Sequence, residues 1–386
     1  MKTPSFAFLL VLAAAALCLC TLSRPALADG KPLSIEQLRT LVTEMTQSRK
    51  TDDEVATALM RVTLAERLES ELVDTLAPLL PGPLAKEQLE LLESASAALP
   101  QAAALQPALP PLEAAAQTDL LAKAKAYLAR TASNTPRIAA VKSIKRYQNG
   151  GKLAATYSGG GLSDAGTSTS QGSSPYIKLI DSDTAWAVLA DAAELPATEV
   201  DTTHWGSNGK VNPTLPPLFA NTLFQEASQN GGLHFVRWET VRTRHLAVFA
   251  FALNKKQSHY GINYCCFPVS NSTGSPTGGT ATFQSESDWK PFKTSAPYHG
   301  EIFIDSETGA IRRTVSVADL KKFDYVHTES ILIDYGLTVV GQNSVMVPSD
   351  SILDANITPN GESFAGGYSN RHMLITASYS AYKPAH

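Results

Sequence analysis

The chain has 386 residues, 44% of them hydrophobic and 18% charged, with a formal net charge of −4 and a pI near 6.1. That balance excludes a disordered, collagen-like or coiled-coil chain. The mild acidity offers no footprint for nucleic acid or anionic lipid, and the length predicts two domains or three.

The first segment is a leader. Lys2 precedes an uncharged apolar stretch from Phe6 to Leu22, and Ala26-Leu27-Ala28 supplies the small-x-small pattern that signal peptidase accepts. Residues 1–28 are therefore read as a Sec-type signal peptide, cleaved after Ala28, with the mature protein periplasmic or secreted. No later apolar run reaches the length of a membrane-spanning helix, so no span is expected after cleavage. Cys18 and Cys20 leave with the leader. Cys265 and Cys266 remain, adjacent in sequence and too close at Cα for an unstrained disulfide; they are read as packing residues on opposite faces of one strand.

Residues 29–99 form a helical domain. Three capping boxes punctuate it, beginning at Ser34, Thr51 and Thr63. Ile35, Leu38, Leu41, Val42 and Met45 form one apolar stripe, and Leu64, Leu68, Leu72 and Leu76 another. Pro78, Pro81 and Pro83 end the third helix, and a fourth begins at Leu84. This is the pattern of a small bundle. Residues 100–136 follow as a Pro/Ala-rich linker, PQAAALQPALPPLEAAA, and a connecting helix over Ala114–Arg130.

From residue 137 to 386 the apolar period changes from 3.6 to 2. Residues 158–175 are a Gly/Ser-rich loop without the Gly-Lys-Ser/Thr that a phosphate loop requires. Leu215–Ala227 reads as one helix. Leu233–Val241, His245–Leu253 and Ser258–Phe267 read as a three-strand antiparallel meander. The second of these is apolar on both faces, with Ala247, Phe249, Phe251 and Leu253 against Leu246, Val248, Ala250 and Ala252, so both faces need cover. Gly300–Asp305 and Ala310–Val317 form a hairpin whose turn, with Asp305, Glu307 and Gly309, is a turn rather than a cation loop. Ser330–Tyr335, Thr338–Val340, Ser344–Val347 and His372–Tyr382 bring the expected strands to at least nine.

The segments PYHGEIFIDSETGAIRR, SILIDYG and VMVPSDS, with RWETVRTRHLAVFAFALNKKQSHYGI before them, resemble the lipoprotein-carrier (LolA-like) half-barrels over residues 230–386. The resemblance implies an α+β chain: an N-terminal small helical bundle, then a large antiparallel β half-barrel with one or more covering helices. It also implies a cavity for a hydrophobic ligand.

Catalytic motifs are missing from the sequence: there is no His-Glu-x-x-His, Gly-x-Ser-x-Gly, Ser-x-x-Lys or Cys-x-x-Cys, and the eight histidines fall in no metal-ligand spacing. No cofactor or metal is expected, and the chain is read as a non-enzyme. Glu239 and Glu301 are read as ion-paired, with Arg237, Arg312 and Arg313 as candidate partners. The expected function is a periplasmic binding protein that carries or senses a lipid, acyl chain or lipidated peptide, lined by Trp238, Phe249, Phe251, Tyr260 and Tyr264. The alternatives are an envelope interaction protein with a plugged barrel and a hydrolase with dispersed catalytic residues. Expected partners are a hydrophobic ligand or an envelope protein, with no nucleic acid. N-terminal sequencing of protein recovered from cells should begin at Asp29; Met1, or a lipid on Cys18 or Cys20, would refute the leader reading.

Overall fold

The computed structural model describes residues 31–132, 138–149, 177–190, 193–194, 212–213, 220–241, 244–258, 260–268, 289–321, 326–357 and 371–385. Residues 1–28, read as a leader, and 158–175, read as a loop, lie outside them, as do the side chains of Cys265 and Cys266. Two compact units are distinct. One runs to Glu66 and includes Ser70–Leu92; the other comprises Arg67–Glu69 and everything from Glu93 onward.

The first unit is helical. Its helices are α1 (Ile35–Gln47), α2 (Asp52–Leu59), α3 (Ser70–Leu76) and the start of α4 (Pro83–Ser96). Complete capping boxes at Ser34 and Thr51 start α1 and α2. The Asp52 carboxylate accepts from the Leu84 and Ala85 amides, so one residue in the first turn of α2 also satisfies the orphan donors of α4. Buried Leu38, Val42, Val55 and Leu59 form the inner stripes.

The third box does not open a helix. Residues 62–69 are irregular, with a bend at Ala65 and Glu66, Leu64 pairs with Leu33 in an isolated bridge, and α3 begins only at Ser70. The Glu66 carboxylate, expected to reach back to Thr63, accepts instead from the Ile35 amide. Leu64, Leu68 and Leu76 are nevertheless buried, so the apolar pattern was right about burial and wrong about period.

The second unit is an antiparallel sheet with helices. Helix α5 (Ala114–Ala132) precedes the strands, and α6 (Ala220–Glu226) lies within them. The strands are β1 (Ile138–Gln148), β2 (Lys178–Ala190), β3 (Ala193–Glu194), β4 (Asn212–Pro213), β5 (His234–Val241), β6 (Arg244–Leu253), β7 (Gly261–Pro268), β8 (Trp289–Ser295), β9 (Tyr298–Asp305), β10 (Ile311–Ala318), β11 (Val326–Val340), β12 (Asn343–Ile357) and β13 (Arg371–Pro384). Ten of them order as β3-β2-β1-β13-β12-β11-β10-β9-β6-β5, and β4-β7-β8 form a second, three-stranded sheet. The larger sheet is open, with β3 and β5 at its ends, as a half-barrel requires.

Two strand expectations change. The third strand of the supposed meander, β7, does not join β6; β6 pairs with β9, and β7 pairs with β4 and β8. Strands β5 and β6 pair antiparallel as read, with a register shift between Phe235 and Arg237; residues 242–243, read as part of their turn, lie outside the described residues. Ser330–Tyr335 and Thr338–Val340 are one strand, β11, which meets β12 across a turn with Gly341 at φ 65°. A register shift opposite Asp334 and Tyr335 accommodates the break in alternation that made one strand look like two.

One face of β6 is covered along its length; the other is covered at Leu246 and Val248, while Ala250 is half-buried and Ala252 exposed, so the expectation of full cover on both faces fails toward the end of the strand. Ala247, Phe249, Phe251 and Leu253 join the main core with Leu120, Ala124 and Leu128 of α5 and Leu223 and Phe224 of α6. Leu246 and Val248 pack on the other face with Phe303, Val315 and Leu332, beside Ala97 and Ala98.

Gly300 of β9 is required by close approach. A Cβ there would collide with the Val315 carbonyl of β10. Gly300→Ala should cost roughly 1–3 kcal/mol or more in urea unfolding. Gly336→Ala, where the nearest atom to a Cβ is Ser349 Cβ at 3.7 Å, should change stability by less than about 0.5 kcal/mol.

Candidate functional site: the aromatic face of the sheet

The main core is built on one face of the large sheet, beneath α5 and α6. Phe249 and Phe251 stand two residues apart on β6, so both point to this face. Phe249 is fully buried and meets Phe235 edge-on at a centroid distance of 6.0 Å; Phe235 meets Trp238 at 5.5 Å. Phe251 meets Tyr298 at 5.5 Å, and Tyr298 lies 5.2 Å from Tyr260. These are the tilted and edge-on geometries that ring quadrupoles favour.

The sequence-derived lining residues therefore come together on one face. Phe249, Phe251, Tyr260 and Tyr264 are buried, and Trp238 is half-buried against the same cluster. Trp238 Nε1–H donates to the Pro110 carbonyl at 2.8 Å.

Tyr260 and Tyr264 enter this face from the smaller sheet and the residue before it, and their hydroxyls converge on one carboxylate. Tyr260 donates to Glu329 Oε1 at 2.6 Å, and Tyr264 to Oε2 at 2.5 Å. Glu329, on β11, is buried. Burial raises its pKa above the usual carboxylate value, and the two tyrosine hydrogen bonds offset only part of that rise. Burial, then the Glu329 charge, pushes both tyrosines well above their ordinary range, so they remain donors at physiological pH. A second pair repeats the arrangement: Tyr298 donates to Glu226 Oε2 of α6 at 2.8 Å, and its pKa is raised by burial and by that bond.

Sequence reasoning missed Glu329, Glu226 and Tyr298. A signal for Glu329 existed. It stands in phase with Ile331, Ile333 and Tyr335, on the apolar face of an alternating strand. A carboxylate at such a position must find donors or stay protonated.

The opposite face carries an ionic cluster. Glu239 is 0% exposed; Arg67 Nη2 reaches its Oε2 at 2.7 Å, and Arg237 Nε its Oε1 at 2.8 Å. Arg237 also holds Glu301 through both of its terminal nitrogens. Burial alone would lower the Arg237 pKa, but the Glu301 and Glu239 carboxylates reverse this and raise it. Of the other arginines read as partners, Arg313 pairs with Asp334 at 2.6 Å, and Arg312 lies 3.6 Å from Asp305. Asp305 caps its own turn, accepting from the Glu307 and Thr308 amides, and pairs with Arg244.

Chemically, the aromatic face offers apolar surface and two carboxylates already engaged by phenols. Among the described residues no three His, Cys, Asp or Glu side chains are grouped to hold a metal ion, and no helix is long and apolar enough to cross a membrane.

Glu329 sets a pH dependence. Its folded pKa lies above the ordinary 4.5, so its contribution to stability is complete below that value and is lost as pH rises through the folded one. Thermal unfolding of Glu329→Gln, followed from about pH 5 to about pH 8, should show a shallower fall in Tm than the wild type. An unchanged slope would show that Glu329 does not titrate in this window.

No family model and no curated protein matches the chain. Two solved structures are similar to it. A LolA superfamily protein, NE2245 from Nitrosomonas europaea, has 9% identity and a TM-score of 0.23, covering 70% of this chain and 93% of its own. The Pseudomonas aeruginosa MucA/MucB complex has 8% identity and a TM-score of 0.19, covering 68% of this chain and 99% of its own. Superposition scores this low leave the likeness as a similarity only.

Proposed function

We propose that the protein is an exported, non-enzymatic binding protein that takes a lipid, acyl chain or lipidated peptide between its aromatic sheet face and helix α5. In this reading residues 29–99 are a separate helical domain and 137–386 the ligand-binding domain. The lining is Trp238, Phe249, Phe251, Tyr260 and Tyr264.

The observation that carries the reading is the nature of the cover. Helix α5 reads AAAQTDLLAKAKAYLARTA and contributes Leu120, Ala124 and Leu128 to the buried core, with Leu121 and Tyr127 partly buried against it. Its two buried leucines are worth about 3–6 kcal/mol, to which the partly buried side chains add. An acyl chain of about ten methylenes would gain about 8 kcal/mol from the same apolar face, before association costs. An acyl chain can therefore compete with the helix for the aromatic surface. In the ligand-free state the helix keeps that surface dry.

The plugged-core reading is supported by one specific feature. The hydroxyls of Tyr260 and Tyr264 are both satisfied inside the protein by Glu329, so neither ring needs a ligand.

The two readings separate in a titration with an environment-sensitive fatty-acid probe. A displaceable helix predicts that wild type brightens the probe and that Leu128→Ala, which weakens the cover, binds it about tenfold or more tightly. A protein that neither brightens the probe nor co-purifies with lipid would leave only the interaction reading.

A further inference from the structure

Two polar side chains buried against the main core are satisfied inside the protein, Glu329 by Tyr260 and Tyr264 and Glu226 by Tyr298. A third is not. Gln148 ends β1, is 3% exposed, and its Oε1 is buried without a hydrogen-bond partner. A carbonyl oxygen so placed has given up its water and gained no donor in return.

The register locates it. Gln148 stands opposite Met373 of β13, Met373 opposite Ala355 of β12, and Ala355 opposite Glu329 of β11. Cross-strand partners share a face, so these side chains form one row across the sheet. Met373 and Ala355 belong to the main core with Phe249, Tyr260 and Tyr264. Three strand spacings, about 14 Å, separate Gln148 from Glu329. The next row along the same face reads Ile331, Leu353, Ile375 and Arg146, and Arg146 is engaged by Asp181. The Gln148 row is therefore apolar in the middle, with a satisfied polar group at one end and an unsatisfied acceptor at the other. Beyond Gln148 comes Lys178 of β2, which is exposed.

We infer that Gln148 Oε1 receives the head of the ligand, and that the ligand carries a neutral hydrogen-bond donor, an amide N–H or a hydroxyl, beside its apolar chain. This rests on the acyl-binding reading above and narrows the ligand it admits. A carboxamide oxygen accepts and cannot donate, so it is matched by an N–H or O–H and offers nothing to a carboxylate. With the head at Gln148, the chain runs over Met373 and Ala355 toward Tyr260 and Tyr264.

The test is isothermal titration of the full chain with matched pairs that differ only in the donor: decanamide against N,N-dimethyldecanamide, and decanol against its methyl ether. Wild type should prefer the donor in at least one pair by about tenfold or more, because a site with an unpaired polar group rejects an analogue that cannot fill it. The pair with the larger ratio identifies the head as amide or hydroxyl. Gln148→Met, which keeps an unbranched side chain and removes the acceptor, should bring both pairs to within about twofold. Without ligand it should melt at or above the wild-type Tm, since it also removes a buried unpaired oxygen. Binding without discrimination in wild type, discrimination that survives in Gln148→Met, or a lower Tm for that variant would each overturn the assignment of Gln148 while leaving the acyl-binding reading in place. Binding of none of these compounds would remove both.

Discussion

Glu239 has no exposed surface, and a buried carboxylate without partners would be too costly to keep ionised. Its two oxygens recruit Arg67, Arg237 and the Gln101 amide, which lie far apart in sequence. Through Arg237 the charge is shared with Glu301 of β9, and through Arg67 with Glu69. One acid on β5 therefore fixes where the Pro-rich segment begins and ties it, through Arg67 and the Gln101 amide, to this strand. Such a pair adds little net stability over an apolar substitute, but removing one partner costs about 3–5 kcal/mol, because a charge is left buried. Its value is in specifying a single arrangement.

The two faces of the sheet solve the burial problem differently. One is closed by apolar side chains and an ionic cluster, with Arg313–Asp334 beside Phe303. The other is closed by helices and by tyrosines whose rings pack and whose hydroxyls find Glu329 and Glu226. There the buried carboxylates are held by phenols rather than by arginines.

The Pro-rich segment and α5 act as one device. Gln101 and Pro110 tie the segment to the edge strand, Gln117 ties the first turn of α5 to it, and Lys123 reaches the Ser306 carbonyl in the β9–β10 turn. That turn approaches α5 so closely that a Cβ on Gly309, at φ 76°, would lie 2.9 Å from the Lys123 carbonyl carbon. Polar ties at the ends and an apolar stripe in the middle, Leu120, Ala124 and Leu128, position the helix.

Much of this was legible in the residues themselves. Capping boxes at Ser34 and Thr51 start helices because their bonds are local, and alternation placed Phe249 and Phe251 on one face of β6 because strand period is a backbone property. The third box failed because Glu66 and Arg67 found stronger partners from distant segments, and no local rule contains Ile35 or Glu239. Strand β7 left the meander because pairing depends on which edge is free, and β9 had taken β6. By itself, then, the sequence determined the helical and β segments, their apolar faces and the ring types that gather there. Only the tertiary structure decided that Glu329 lies under two tyrosines, that Glu239 clasps Arg67, and that Gln101 and Gln117 bond to the β5 backbone. Those contacts join residues dozens to more than a hundred positions apart, and desolvation selects them only once the sheet exists.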